Sequence, residues 1–208
     1  MAAYTFFTHP MSRGQIARWA LHEAGVEYDQ VLVDWANKPA ALLAANPMGK
    51  VPALLHRAET GERAVSECAA ICAYLAEACP EAGLLPSDAE LADYYRWLFF
   101  AAGPLEQAIV GRSMGWEVSK DREMMVGFGS LERVLDTLEG HLAASEWVCG
   151  ERFTMADVYV GSQVDWGLAF GTMPSRPAFE AYAARFRERA GYKAAKAIDN
   201  QLIAEAQK

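Results

Sequence analysis

Two patterns of hydrophobic spacing divide the chain, and one replaces the other shortly after residue 80. Before that point, short β-prone runs alternate with segments in which apolar residues recur every three to four positions. The runs 4–8 and 28–33 predict strands, and two further strands flank the turn RAETGE as a hairpin. The predicted order is β-α-β-α-β-β-α, which indicates an α/β domain.

Helix boundaries are marked by residues that start or stop a helix. Ser12 fits as the N-cap of the first helix and Gly25 as its stop, while Pro80 ends a helix that opens near Cys68. A short helix is predicted over 39–45. From residue 88 onward the strand signal nearly disappears, and helical periodicity covers 88–113, 119–143, 154–170 and 176–190, with a looser segment to the end.

The stretch PEAGLLPSD, rich in proline and glycine, separates the two patterns. We therefore predict two domains, a mixed domain over 1–80 and an all-helical domain over 87–208. About half of the residues are hydrophobic, so a sizeable core is available.

Composition excludes several classes of protein. The net charge is −8, from 19 basic and 27 acidic residues among 208, which argues against a general nucleic-acid-binding face. The four cysteines form no CxxC pair and have no histidine partners at zinc-finger spacing, so we expect buried thiols and no metal. Neither a signal peptide nor an apolar run of membrane-spanning length is evident. A soluble protein of the reducing cytoplasm is expected.

Four motifs then appear in a characteristic order: HPMSRGQIARWAL, NPMGKVPAL, SECAAICAYLAE and FTMADVYVGS. Together they resemble the cytosolic glutathione S-transferase family, in its bacterial type, over nearly the whole chain. The resemblance implies a thioredoxin-like N-terminal domain followed by a helical-bundle C-terminal domain. It also implies glutathione as co-substrate, a role in detoxification and a homodimer in the cytoplasm.

Pro52 stands where a strand would otherwise donate a backbone hydrogen bond. An X-Pro bond is the one peptide bond that is cis at low cost, about 0.5–1 kcal/mol. The resemblance implies a cis bond between Val51 and Pro52. It also implies that the main chain of Val51 pairs with the cysteinyl residue of glutathione, as an added strand would.

The γ-glutamyl end of glutathione is expected at the start of the third helix, where the family carries Glu or Gln followed by Ser. Glu67 matches the pattern, whereas Cys68 replaces the serine. A helix N-terminus binds anions through open N–H groups, but a thiol is a weak donor, so the replacement costs about 1 kcal/mol of glutathione binding. Lys50, and less directly Lys38, are candidates for the glycyl carboxylate.

A transferase of this family ionises the thiol of glutathione. Lowering a thiol pKa from about 8.5 by two units requires about 2.7 kcal/mol of preferential thiolate stabilisation. By its position between the first strand and the first helix, Ser12 resembles the thiolate partner of the serine-type classes. Arg13 is a candidate for added positive charge near the sulfur, and His9 and Thr8 remain alternatives in the same loop.

The second substrate is expected to be an apolar electrophile held by the helical domain. The predicted pocket residues are Phe99, Gly103, Met114 and Trp116, and Gly103-Pro104 predicts a kink in the helix that carries them. The motif TMAD predicts a structural capping box between Thr154 and Asp157.

The resulting hypothesis is a glutathione S-transferase that conjugates the glutathione thiolate to apolar electrophiles. Two alternatives remain on the same scaffold. One is a glutathione-dependent isomerase of the maleylacetoacetate type, or a dehalogenase, although HPMSRG lacks the Ser-Ser-Cys run usual in the isomerases. The other is a non-catalytic binding protein, which Cys68 favours.

Overall fold

The computed structural model describes residues 2–207. The chain divides into two compact units. The first contains the residues up to Leu85 together with those from Glu188 onward, and the second contains Pro86–Arg187. The first unit holds the only β-sheet found in the described part of the chain.

The sheet has four strands in the spatial order β2-β1-β3-β4. Strand β1 pairs in parallel with β2 and antiparallel with β3, and β3 forms a hairpin with β4. The strand bounds are β1 Tyr4–Thr8, β2 Tyr28–Leu32, β3 Ala53–Ala58 and β4 Gly61–Ser66. Strand β1 coincides with its predicted run, and β2 ends one residue before its predicted end. Strands β3 and β4 reach two residues further into the predicted turn RAETGE from each side, so that only Glu59 and Thr60 form the turn.

Nine α-helices complete the described fold. Their bounds are α1 Gly14–Glu23, α2 Ala40–Ala45, α3 Cys68–Ala78, α4 Leu91–Phe100, α5 Glu106–Ser113, α6 Leu131–Ala144, α7 Met155–Ala169, α8 Pro177–Arg187 and α9 Ala190–Ala206. The predicted β-α-β-α-β-β-α order of the first domain is confirmed.

The core of the first unit forms around β1, because this strand lies inside the sheet and all five of its residues are buried. Phe6 and Phe7 point to opposite faces of the sheet and are both essentially inaccessible. Phe7 packs with Val33, Leu42 and Ala53. A strand buried on both faces explains why YTFFT shows no polar alternation.

The last helix, α9, packs against α1 in the first unit. The guanidinium of Arg18 on α1 bonds Asp199 on α9 at 2.9 Å, and both side chains are buried. Arg189 adds a second link through two hydrogen bonds to Glu23, of 2.9 and 2.7 Å. The predicted helical domain extended to residue 208, whereas this segment groups with the first unit. The contacts between α1 and α9 join residues far apart in the chain, and the local sequence pattern therefore does not predict them.

Helices α4 and α5 are joined by a π-helical segment, Ala101–Leu105. Pro104 lies inside this segment and lacks the N–H that a regular α-helical turn would use. At the position where Gly103-Pro104 predicts a kink, the structure has a wider, π-helical turn.

The helix predicted over 119–143 is wrong in its first half. Residues Lys120–Met125 form a 3-10 helix, and the α-helix begins only at Leu131. Gly129 interrupts the periodicity with φ of 61°. Ser130 then caps α6, because its side chain accepts a hydrogen bond from the Arg133 N–H at 3.3 Å.

Helix α7 is buried on nearly all sides, and its first turn is fixed by the carboxylate of Asp157. The Thr154 N–H donates to one carboxylate oxygen at 2.8 Å. The Val148 N–H and the Tyr182 hydroxyl donate to the other oxygen, each at 2.9 Å. The predicted capping box between Thr154 and Asp157 is confirmed.

The Asp157 carboxyl makes stability dependent on pH. Burial raises its pKa from 3.8 to about 6, against the opposing effect of its hydrogen-bond donors. The folded protein thus holds this proton more tightly than the unfolded chain. The extra stability is fully present below about pH 4 and is lost as the pH rises through about 6.

We therefore expect the unfolding free energy of the wild type to fall by on the order of 3 kcal/mol between these limits, relative to Asp157→Asn, which does not titrate. Urea unfolding at a series of pH values measures the difference. If the unfolding free energies of the wild type and Asp157→Asn changed equally with pH, the prediction would be contradicted.

Three further observations bear on function. Cys68, Cys72, Cys79 and Cys149 are all buried reduced thiols. Within residues 2–207, no helix combines the length and apolar character needed to cross a membrane. Over the same residues, no group of three or more His, Cys, Asp or Glu side chains is arranged to hold a metal ion.

Candidate active site

The candidate site lies at one end of the sheet in the first unit. In the register of the strands, Ala53 at the start of β3 is paired on one side with Phe7 and on the other with Ser66. Three segments therefore leave the sheet at this same end. They are the loop 9–13 after β1, Val51 and Pro52 before β3, and Glu67 after β4. All the residues that the sequence assigned to glutathione chemistry, except Lys38, lie in or next to these segments.

The peptide bond between Val51 and Pro52 is cis, as predicted. Pro52 is buried and Val51 is half-buried. Within residues 2–207, the main-chain N–H and C=O of Val51 have no hydrogen-bond partner. These two groups are open to an extended peptide-like ligand.

Asn46, which the sequence analysis did not single out, fixes the loop before Val51. Its side-chain amide donates to the Lys50 carbonyl at 3.0 Å, and its carbonyl oxygen accepts from the Met48 N–H at 3.2 Å. The side chain is 5% exposed. The asparagine before a proline is a turn signal in the sequence, but its bonds to both sides of Gly49 are visible only in three dimensions.

Glu67 has an unusual backbone conformation at the point where β4 turns into α3. Its φ is 69° and its ψ is 123°. It is the single non-glycine residue with positive φ among those the structure describes. The side chain is exposed, and among residues 2–207 Glu67, at the N-cap position, makes no side-chain capping bond to the first turn of α3. Strain of this kind accompanies functional positions, and an uncapped helix N-terminus suits an anion.

Cys68 begins α3 with its side chain turned inward. The residue is 7% exposed, and its sulfur lies 3.6 Å from the main-chain carbonyl of Arg13. The thiol therefore contacts the loop that precedes α1 rather than solvent. This contact brings two of the predicted site segments together.

Ser12 makes two hydrogen bonds inside its own loop. Its hydroxyl donates to the His9 carbonyl at 2.6 Å, and it accepts from the Gly14 N–H at 3.0 Å. The helix starts at Gly14, with Arg13 at the N-cap position. The N-cap predicted at Ser12 thus falls one residue too early, because the oxygen of Ser12 bonds the first helical N–H instead of a later one.

A close fit beneath the loop requires Gly14. A Cβ atom at this position would lie 2.0 Å from Oγ1 of the buried Thr8 and 3.0 Å from Oγ of Ser12. The glycine thereby lets the end of β1 and the Ser12 hydroxyl approach each other.

The aromatic contact on the other side of the loop was also missed. The rings of His9 and Trp35 lie 4.9 Å apart between centroids. His9 Nδ1 accepts from the Met11 N–H at 3.2 Å, so the imidazole is used to shape the loop. Trp35 is 47% exposed and has no periodic neighbours in the sequence that would have marked it.

The basic residues assigned to the site are at its surface. The side chains of Arg13 and Lys50 are exposed. Lys38 is half-buried, and its ammonium lies 3.2 Å from the place that a Cβ on Gly49 would occupy. The Lys38 side chain therefore lies across the loop before Val51. The main-chain carbonyl of Lys50 accepts a hydrogen bond from the Asn46 side chain.

The four residues predicted to contact a second substrate lie in the helical unit. Phe99 is on α4, Gly103 is in the π-helical segment, and Met114 and Trp116 follow α5. Phe99, Met114 and Trp116 are 68%, 64% and 65% exposed. A cavity of about 380 Å³ in this unit is lined by Trp116, with Gly111, Phe128 and Leu131 among its neighbours. The other three predicted residues are not part of that lining.

These features define a class of protein, in which a thioredoxin-like sheet unit with a cis-proline precedes an all-helical unit. Sequence comparison identifies the family. The model of the glutathione S-transferase N-terminal domain matches residues 11–78, and that of the C-terminal domain matches residues 58–185. The chain belongs to the glutathione S-transferase family.

Individual relatives agree with this assignment. Glutathione S-transferase 3 of Zea mays is 30% identical over 170 residues, which cover 76% of this chain and 75% of the relative. The crystal structure of a glutathione transferase from Methylococcus capsulatus superposes with a TM-score of 0.77 at 28% identity, over 95% of this chain and 99% of that one. A sphingomonad glutathione S-transferase, solved with glutathione, gives 0.73 at 25% identity, over 94% and 98%.

Proposed function

We propose that this protein is a glutathione transferase, which adds the thiolate of glutathione to an apolar electrophile. The observation that carries the proposal is a convergence at one end of the sheet. The unpartnered main chain of Val51 and the uncapped N-terminus of α3 lie there, beside the exposed carboxylate of Glu67. Glutathione offers one complementary group to each of them.

Each part of glutathione is assigned by its chemistry. The cysteinyl residue pairs with the N–H and C=O of Val51 as an antiparallel strand would. The γ-glutamyl carboxylate lies at the N-terminus of α3 and its ammonium beside Glu67. The glycyl carboxylate is assigned to Lys50, and Arg13 supplies a further positive charge on the side of the sulfur.

Ser12 is assigned the thiolate. Its hydroxyl points to the His9 carbonyl in the free protein, and rotation about one side-chain bond redirects the proton to the sulfur. A hydroxyl hydrogen bond to a charged sulfur stabilises the thiolate relative to the thiol and so lowers its pKa. The reaction then needs only the positioning of the electrophile.

Isothermal titration of the purified protein with glutathione tests the proposal. Binding is expected in the wild type, with weaker binding in Glu67→Gln, which removes the charge that pairs with the ammonium. Glu151→Gln, an exposed carboxylate of the helical unit, is the control and should bind as the wild type does. Absence of binding at millimolar glutathione in the wild type would refute the proposal.

Cys68→Ser is expected to bind glutathione about fivefold more tightly. Rotation about one side-chain bond turns a hydroxyl at position 68 from the Arg13 carbonyl to the ligand. A hydroxyl is a better donor than a thiol, and one improved hydrogen bond is worth about 1 kcal/mol. The same titration measures the change. Cys72→Ala, a buried neighbour on the same helix, is the control and should keep the wild-type affinity. Unchanged or weaker binding in Cys68→Ser would show that residue 68 contributes only packing.

For the second substrate we propose an apolar electrophile held by side chains of the helical unit. Trp116 supports this proposal because it lines the cavity of about 380 Å³, and the exposed Phe99 and Met114 leave large apolar side chains available to an apolar ligand. The fold does not choose among conjugation, isomerisation and dehalogenation, all of which use the same thiolate.

We further propose a cytoplasmic homodimer. The four reduced thiols support a reducing compartment. Leu91 and Tyr95, four residues apart on α4, form an exposed apolar stripe. A self-association surface of this kind buries such a stripe. Sedimentation of the wild type as a monomer would contradict this part of the proposal.

One observation favours a second candidate, a binding protein without catalysis. The single proton of the Ser12 hydroxyl is already used by the His9 carbonyl at 2.6 Å. The two functions differ in the ionisation of bound glutathione. A transferase lowers the pKa of the bound thiol, whereas a binding protein leaves it near its ordinary value.

A further inference from the structure

The loop that carries Ser12 is tied to the last helix of the chain through the side chain of Gln15. The amide nitrogen of Gln15 donates to the main-chain carbonyl of Pro10 at 2.6 Å. Its carbonyl oxygen accepts from the ammonium of Lys196 on α9 at 3.1 Å. Both ends of one amide are therefore used, one by the loop and one by a helix 181 residues further along the chain.

Lys196 is itself held in place by its surroundings on α9. Its ammonium lies 5.6 Å from the centroid of the Tyr192 ring. One turn further along, Asp199 is paired with Arg18 of α1. Burial raises the pKa of Asp199, and the charges of Arg18 and Lys196 act against that rise. Lys196 thus belongs to the group of charges that docks α9 on α1.

The bond from Gln15 to the loop is accepted by Pro10. This proline is buried and lies two residues before Ser12. The carbonyls of His9 and Pro10 are consecutive acceptors, one used by the Ser12 hydroxyl and the other by Gln15. A displacement of Pro10 therefore moves the anchor of the Ser12 side chain, and shifts of about 1 Å at a reacting group cost up to about a hundredfold in rate.

We propose that Gln15 is a positioning residue for Ser12, and that Lys196 on the C-terminal helix holds Gln15 in its working rotamer. The inference rests on the proposed role of Ser12 with the glutathione thiolate. A side-chain amide suits this role because it donates to a carbonyl at one end and accepts from an ammonium at the other. Glutamate keeps only the acceptor, and methionine, of similar length, has neither.

The test uses Gln15→Met, Lys196→Met and the double variant. Lys193→Met is the matched control, because Lys193 lies one turn away on α9 and its ammonium pairs with Glu188 at an exposed position. For each protein, the pKa of bound glutathione is measured from thiolate absorbance against pH. The constants kcat and KM are determined with 1-chloro-2,4-dinitrobenzene, an apolar aryl chloride, as the electrophile, and thermal unfolding is recorded in parallel.

Gln15→Met is expected to raise the pKa of bound glutathione and to lower kcat about three- to tenfold, with KM for glutathione within about twofold of the wild type. Lys196→Met also raises the pKa of bound glutathione and lowers kcat, but by smaller amounts than Gln15→Met, because the bond from Gln15 to Pro10 remains. The double variant is no worse than Gln15→Met alone. Lys196→Arg keeps a donor and restores wild-type values, and Lys193→Met leaves them unchanged.

A wild-type pKa and kcat in folded Gln15→Met would overturn the inference. So would a lower unfolding temperature with no change in either quantity, which is the result of a purely structural role. If Gln15→Met does not fold, Lys196→Met cuts the same tie from the other end, and unchanged values there overturn it equally. The proposed function fails separately, through a wild type that neither binds glutathione nor lowers the pKa of its thiol.

Discussion

Replacing Ser12 with alanine is expected to lower kcat/KM for glutathione conjugation about 10- to 100-fold at neutral pH. A hydrogen bond to a charged acceptor is worth about 1.5–3 kcal/mol, and here it acts on the thiolate and not on the thiol. Binding should change far less, because the main chain of Val51 and the N-terminus of α3 are untouched. The difference in kcat/KM between Ser12→Ala and the wild type should become smaller as the pH approaches the ordinary pKa of the thiol, because glutathione then ionises without stabilisation by the protein.

The measurement is a pH–rate profile of Ser12→Ala beside the wild type, with calorimetric affinities for glutathione. Ser175→Ala is the matched control, since Ser175 is an exposed serine of the helical unit that bonds Glu180. Equal rates for Ser12→Ala and the wild type would remove Ser12 from the mechanism. The loop alternatives His9 and Thr8 would then be the residues to replace.

Replacing Asp157 with alanine should cost about 3–5 kcal/mol of unfolding free energy. The change removes the acceptor for two main-chain N–H groups and for the Tyr182 hydroxyl, all of them buried. Each buried donor left without an acceptor costs about 1–3 kcal/mol. A loss of this size belongs to the rare large effects that a broken buried network produces.

Urea unfolding at equal protein concentrations measures this loss. The control is Asp136→Ala, whose carboxylate is 60% exposed and pairs with Arg176 at 2.7 Å. An exposed pair is worth at most about 1 kcal/mol, so the two aspartates should differ clearly. Comparable losses would mean that the network around Asp157 tolerates water. In either case, Asp157→Ala that remains folded should retain glutathione binding, because α7 belongs to the other unit.

The order of the elements could be predicted because each rests on local signals. The aromatic run YTFFT, the stop at Gly25 and the capping box at Asp157 all lie within a few residues of the feature they specify. The helix predicted over 119–143 failed for the same reason. Its apolar spacing continued through Gly129, and only the positive φ of that glycine decides where α6 begins.

The site could be predicted only as far as its main-chain scaffold. Val51, Pro52 and Glu67 follow from short motifs, and the cis bond is where the motif placed it. The orientation of the Ser12 hydroxyl, the contact between the rings of Trp35 and His9 and the bonds of Gln15 depend on side chains brought together by the whole fold. The neighbouring sequence does not specify that the Ser12 hydroxyl donates to the carbonyl of His9 and not to that of Pro10.

The docking of α9 on α1 also has a consequence for biosynthesis. Residues from Glu188 onward complete the first unit, yet the ribosome makes them after the whole of the second. At about 5–20 residues per second, synthesis of the rest of the chain after Leu85 takes on the order of 6–25 s, and the first unit is incomplete during this time. During that interval the Arg18 guanidinium has no carboxylate from Asp199. The nascent chain is therefore expected to be a substrate for chaperones until translation ends.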